Sequence, residues 1–292
     1  MSLIPELVCD TISVLGEGPV WDDELNSITW IDILNGRIHQ RIGQAPTTTM
    51  EVGRMIGAAA PISGNRWIAA LQDGFAFVDL NTRSVTPIHD PEAHLPENRF
   101  NDGKCDEAGR FWAGTMAIQE DPGCGSLYVI DQSLHARKVL DDVDLSNGLA
   151  WSSDNRNFFH IDSPVRQVSV YPFDIEHGTL GERTHIFKIP EADGYPDGAC
   201  IDNEDMLWIA HYDGWQVCRW NPLTGQKLLT IKLPVSQVTC CTFGGPGLDD
   251  LYITTARQKM TEDQLKDQPM AGSLFVVRNC GFRGRKTARF RE

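Results

Sequence analysis

The chain has 292 residues, 41% of them hydrophobic, enough for a substantial core, and its 26 basic against 40 acidic residues leave a formal net charge of −14. That charge repels phosphate backbones and the anionic face of a membrane, which excludes nucleic acid and lipid surfaces as partners. No run approaches the roughly 20 apolar residues that span a bilayer, and the start, MSLIPELVCDTISV, has no basic segment ahead of a long apolar stretch, as expected of a cytoplasmic protein.

No segment keeps a 3.6-residue apolar period for three turns, while short β-branched and aromatic runs broken by Gly, Asp and Asn recur throughout, so the chain reads as all-β. A first strand, ELVCDTISVL, is followed by one unit repeated six times: an apolar strand, a polar turn and an aromatic-led strand. In chain order the units are GPVWDDELNSITWIDI, GAAAPISGNRWIAAL, GKCDEAGRFWAGTM, GLAWSSDNRNFFHIDS, GACIDNEDMLWIAHY and CCTFGGPGLDDLYITT. Their aromatic markers Trp30, Trp67, Trp112, Phe159, Trp208 and Tyr252 recur every 37 to 49 residues, the length of a four-stranded propeller blade. The spacing predicts a six-bladed β-propeller with four antiparallel strands per blade, forming a single domain over residues 1–292. The first strand is expected to close the ring beside GSLFVVRN in the last blade, since closure removes an exposed edge. RQKMTEDQLKDQPMAG reads as a loop or short helix inserted in that blade, and the basic end GFRGRKTARFRE as a solvated tail.

The eight cysteines are scattered, with no C-x-x-C pair, and read as reduced, buried thiols. No G-x-S-x-G elbow and no H-E-x-x-H occurs, which leaves serine-triad and zincin chemistry unsupported. His39, His160 and His211 each follow a strand and read as packing or surface residues.

Aligning the units separates two kinds of polar cluster. The hairpin tips are Asp22-Asp23, Gly64-Asn65, Glu107 to Gly109, Asp154-Asn155, Asn203 to Asp205 and Asp249-Asp250. Four units carry a second pair at the opposite end of the first strand: Glu17-Gly18, Asp102-Gly103 (after Asn101), Asn147-Gly148 and Asp197-Gly198. In a propeller these positions face one another around one mouth of the central channel. Oxygen donors from Asp, Glu and Asn there suit one divalent cation, Ca²⁺, Mg²⁺ or Mn²⁺, and a site with open coordination positions also accepts Zn²⁺. Any single pair is equally a turn signal; four offset from the hairpin tips point to a site. Arg99 and Asn101, two apart and so on one face of an extended segment, stand beside this cluster as contacts for a polyhydroxylated or acidic substrate.

GEGPVW, NRFNDGKCDEAGRFWAGTM, SNGLAWSSDN, PDGACIDNEDMLWIA and TGQKLLTIKLPV together resemble the senescence marker protein, regucalcin and gluconolactonase family over essentially the whole chain. The resemblance implies a six-bladed propeller, one divalent metal in the channel and hydrolysis of sugar lactones. It implies Glu17, Asn147 and Asp197 as metal ligands and Arg99 and Asn101 as substrate contacts. After AGTM the family's animal members carry acidic residues where this chain has Ala117, Ile118, Gln119 and Glu120, and Gln119 is the expected substrate contact in place of one of them. Asp197 is the candidate general base, with Asp102 or a hydroxide on the cation as alternatives. Beside a gluconolactonase-like enzyme acting on a small-molecule sugar lactone stand two other readings: a calcium-binding regulatory protein of the regucalcin type, and a propeller serving as an interaction platform. The chain is expected as a monomer or weak homo-oligomer.

Overall fold

The second strand of each unit is buried almost without interruption, whatever its mix of apolar and polar residues. Ser27–Asp32, Arg66–Leu71, Phe111–Ala117 and Leu207–Tyr212 are buried along nearly their whole length. An unbroken buried run cannot belong to a sheet with one wet face; it needs neighbours on both sides. A computed structural model, describing residues 3–292, provides them by stacking six sheets face to face around an axis.

The innermost strands are Gly16–Asp22, Ile56–Ser63, Asn98–Cys105, Ser146–Trp151, Tyr195–Ile201 and Val238–Gly244, in blades 1 to 6. Successive inner strands lie against each other, and blade 6 returns to blade 1. Ring closure follows the expected route: Glu6–Ile12 is the outermost strand of blade 6, pairing antiparallel with Ser273–Val277 (Leu7 opposite Phe275). Blade 4 departs from the four-strand rule, because its third strand, Gln167–Asp174, pairs with both His185–Lys188 and the short Thr179–Leu180. Among the described residues the α-helix Glu262–Asp267 stands alone, in the insert of blade 6, and no helix is long and apolar enough to cross a membrane.

The aromatic markers are wedges between blades. Trp112 of blade 3 meets Trp151 of blade 4 edge-on at 5.8 Å, and Trp21 of blade 1 stacks on Tyr252 of blade 6 at 5.6 Å. A buried aromatic removes roughly 150–250 Å² from water, worth on the order of 4 kcal/mol at about 25 cal/mol per Å². Two markers are also anchored by hydrogen bonds. Trp208 Nε1 donates to Asp202 Oδ2 (2.9 Å), which also accepts from Arg219 Nε (2.7 Å). Trp112 Nε1 and Arg110 Nε do the same to Asp106, at 2.8 and 2.7 Å.

The basic end is not a solvated tail. It crosses the hairpin tips at one end of the channel and touches every blade. The Gly284 amide donates to Leu248 O and the Asn203 amide to Arg283 O, both at 2.8 Å; the Phe290 and Arg291 amides donate to Pro61 O and Gly109 O, both at 2.9 Å. Arg285 donates to Trp151 O, and Arg289 Nη2 pairs with Asp22 at 2.6 Å. Phe290 is buried in the core shared by blades 2 and 3. The cause is charge: the tips carry Asp22, Asp23, Glu24 and Glu107, so a basic segment is drawn onto them. The cysteine expectation needs a smaller correction. All eight thiols are free, but Cys124 is exposed and Cys9 half-buried.

Candidate active site in the axial channel

Every inner strand is irregular near its start. The ladder slips between Glu17 and Val20, Ile56 and Ala58, Phe100 and Gly103, Asn147 and Ala150, Pro196 and Ala199, and Val238 and Cys240. A bulge bends the strand and re-aims side chains. The polar-Gly pairs are these bulges, and Gly18 and Gly148 take the positive φ (49° and 46°) that glycine tolerates.

Above the bulges, at the end away from the basic strap, lies a cavity of about 830 Å³. Glu17, Arg99, Asn101, Asn147 and Asp197 all line it, so five of the expected site residues converge from blades 1, 3, 4 and 5. Two do not join them. Asp102 lines a smaller space of about 120 Å³ on the far side, with Lys104, Cys200 and Cys240, because the slip after Phe100 brings Asn101 to the floor of the large cavity in its place. Gln119 is exposed and outside the cavity, whereas Met116, Ile118 and Glu120 line it. The strand ends at Ala117, and the turn that follows, with the Glu120 amide donating to Ala117 O and Glu120 at φ 61°, sends Gln119 outward and Glu120 to the cavity.

The floor is a connected polar network. Asn101 Nδ2 donates to Asn147 Oδ1 (2.9 Å), Asn147 Nδ2 to Ser163 Oγ (2.8 Å), and Ser163 Oγ to Pro196 O (2.6 Å). Arg99 Nη1 donates to Phe100 O and Asn101 Oδ1, each at 2.9 Å, which leaves Nε and Nη2 without protein partners among the described residues. Ser163 has no sequence signal of its own; only the ring brings it beside Asn147.

Charge at the floor is unbalanced. Burial, then Asp197 and Asp102 nearby, hold the Glu17 carboxyl well above the usual carboxylate range. Asp197 is raised by burial and then by Asp102, against the Gly198 amide, Arg99 and Asn147. Arg99 is pushed down to about 10 by burial, with Glu17, Glu120 and Asp197 opposing, and so stays charged at neutral pH. Two buried carboxylates and an amide oxygen that converge from blades 1, 4 and 5 face one cation, Arg99, and are hard oxygen donors, a set that fits a divalent cation. Among the described residues no group of three or more His, Cys, Asp or Glu is arranged around a metal, consistent with an amide as the third donor.

The mouth is framed by residues that motif reading missed. Glu120 of blade 3 and Lys259 of the blade 6 insert, on opposite sides of the ring, form an ion pair at 2.6 Å. The insert is held by a capping box, in which Thr261 Oγ1 accepts from the Gln264 amide (3.3 Å) and Gln264 Oε1 from the Thr261 amide (2.8 Å). No histidine lines the cavity. His39, His160 and His211 are buried, and burial lowers each to about 4.

A propeller whose channel gathers buried oxygen donors beside an arginine clamp has the form of a family of hydrolases and calcium-binding proteins. Residues 15–257 match the family model described as SMP-30/Gluconolactonase/LRE-like region, and the chain belongs to that family. It is 37% identical over 276 residues to regucalcin of Gallus gallus, covering 92% of each chain. It is 35% identical over 274 residues to a Bacillus subtilis protein named as a candidate sugar lactone lactonase, YvrE, again covering 92% of each. The solved structure of a calcium-binding protein, regucalcin, from Agrobacterium tumefaciens superposes with a TM-score of 0.92 at 27% identity, over 99% of this chain and 98% of that one.

Proposed function

We propose that this protein is a metal-dependent lactonase that opens aldonolactones to aldonic acids in a sugar-oxidation pathway. The observation that carries the reading is the placement of Arg99, with its unpartnered Nε and Nη2, at the same buried floor as Glu17, Asn147 and Asp197. A purely structural ion needs no adjacent donor for a substrate.

Glu17, Asn147 and Asp197 would hold one divalent cation, Ca²⁺, Zn²⁺, Mn²⁺ or Mg²⁺. When bound, such an ion supplies Lewis-acid polarisation of the lactone carbonyl and stabilises the developing oxyanion. Arg99 donates hydrogen bonds to the ring substituents, and Asn101, fixed by Arg99 and Asn147, holds that clamp in place. Asp197 takes the proton of the water that attacks the carbonyl carbon. Asp102, facing the other compartment, is the weaker candidate for that role. Burial of the floor keeps bulk water from competing for these hydrogen bonds.

The test is proton release on a panel of aldonolactones, with the ion stripped and restored and with Asp197→Ala alongside. Activity is expected to vanish on stripping and return with a divalent ion, and the variant to lose about 100-fold or more, the contribution of a positioned base. Metal-independent turnover, or full activity of the variant, overturns the mechanism. The names of the regucalcin relatives favour a second reading, a regulatory calcium-binding protein with a structural ion; tight calcium binding without turnover of any lactone would select it.

A further inference from the structure

The cavity is too large for a sugar lactone alone, and its half above blades 1 to 3 is apolar over most of its height. A hexonolactone has about a dozen heavy atoms and fills on the order of 200 Å³, each atom taking rather less than the ~30 Å³ of a whole water molecule. The cavity holds about 830 Å³. Its upper walls differ in character around the ring. Blades 4 to 6 contribute a mixed wall, in which Ser163, Asp213, Gln237 and Lys259 stand among Tyr195, Tyr212 and Met260. Blades 1 to 3 and the links that follow blades 1 and 3 contribute Ile33, Leu34, Met55, Met116, Ile118 and Leu145. On that half the polar groups in the wall are Glu17, Arg99 and Asn101 at the floor and Glu120, which is paired across the mouth to Lys259.

A polyol placed against the apolar half would lose water from hydroxyls that find no partner, at a cost for each unpaired group. An alkyl or aryl group placed there gains by leaving water. Leu34 is 41% exposed, so in the free protein this wall presents apolar surface to solvent with nothing packed on it.

We infer that the blade 1 to 3 half of the cavity is a subsite for an apolar substituent, and that the protein hydrolyses lactones carrying an alkyl or aryl group beside the ring. The inference rests on the lactonase reading and extends it to a second substrate class. The reaction is unchanged: the oxygen of water bonds to the carbonyl carbon, the ring C–O bond breaks, the released alkoxide takes up a proton, and the product is a hydroxy acid bearing the substituent. The carbonyl stays at the Glu17, Asn147 and Asp197 floor, and the substituent points along Leu34, Met55 and Ile118.

The test compares glucono-δ-lactone with δ-lactones carrying methyl, pentyl and heptyl groups at the ring carbon next to the ring oxygen. In the metal-loaded protein kcat/KM is expected to rise about twofold to fourfold per methylene, the range for partial to full burial of a CH₂. In Leu34→Gln and Ile118→Gln the ratio of heptyl to methyl kcat/KM is expected to fall about tenfold. That ratio does not depend on how much folded protein each preparation contains. A flat alkyl series with glucono-δ-lactone turned over overturns this inference alone. A rising series that both variants leave intact overturns the assignment of the subsite to this wall, and no turnover of any lactone overturns the lactonase reading with it.

Discussion

Phe290→Ala tests whether the C-terminal segment is a structural strap. Phe290 is 2% exposed, inserted among the core residues of blades 2 and 3, with Phe77 at 6.3 Å between ring centroids. Truncating a buried Phe removes its transfer free energy and leaves a cavity, together about 3–5 kcal/mol. The ion pairs that flank it, Arg66–Glu292 and Lys286–Asp23, are largely solvent-exposed, screened by salt, and contribute little by comparison. Phe290 is therefore the apolar anchor beside the largely buried Arg289–Asp22 pair, and the exposed charges mainly guide the strap into place. With a urea m-value of about 3 kcal/mol/M, the midpoint should fall by roughly 1–1.7 M with m unchanged. Tryptophan fluorescence reads the transition, since Trp67, Trp112 and Trp208 are fully buried. The strap lies at the end of the channel away from the large cavity, so activity of the folded variant at 25 °C should match the parent. A midpoint shift below about 0.3 M, equivalent to about 1 kcal/mol, would refute the seating of Phe290 and restore the picture of a solvated tail.

Acid should destabilise the fold through its histidines. His39, His160 and His211 are each lowered to about 4 by burial, so between that value and the ordinary 6.5 of an exposed histidine the unfolded chain binds protons that the folded one does not. Their stabilisation is complete above about pH 6.5 and is withdrawn as pH falls toward 4, each histidine giving up about 1.4 kcal/mol for every pH unit crossed in that window. Glu17 and Asp197, raised by burial, act in the opposite sense, so the contribution is read as the difference between the parent and His160→Gln, and a variant whose urea midpoint falls from pH 7 to 5 as steeply as the parent's would contradict this. Asp202→Ala should cost about 2–4 kcal/mol, because it leaves Arg219 Nε and Trp208 Nε1 unpaired where Asp202, fully buried, receives both, while Arg219 Nη2 keeps Glu204; thermal unfolding within about 2 °C of the parent would rule that out.

Much of the architecture was legible in the chain. Six aromatic-led strands at near-constant spacing can bury their apolar faces only by stacking against one another, so Trp67, Trp112 and Trp208 announced the propeller, and ELVCDTISVL its closure. The polar-Gly pairs were legible as a class for the same reason: a repeated offset from the hairpin tip is a repeated place in the ring. Which member of a pair reaches the cavity was not legible. A bulge after Phe100 shifts the face by one residue and puts Asn101 rather than Asp102 in the large cavity, and the turn after Ala117 puts Glu120 rather than Gln119 at its mouth.

The basic terminus marks the same boundary from another side. Its composition is that of a solvated segment, and local propensity says nothing of acidic tips contributed by other blades. Only once the ring had set Asp22, Pro61, Gly109 and Trp151 around one opening did a path exist for Arg285, Arg289 and Phe290 to follow. Local spacing determined the blades and the kind of oxygen donor each carries. Contacts between residues far apart in the chain, such as Asp22 and Arg289 at 267 positions, decided which donors meet and which end of the channel stays open.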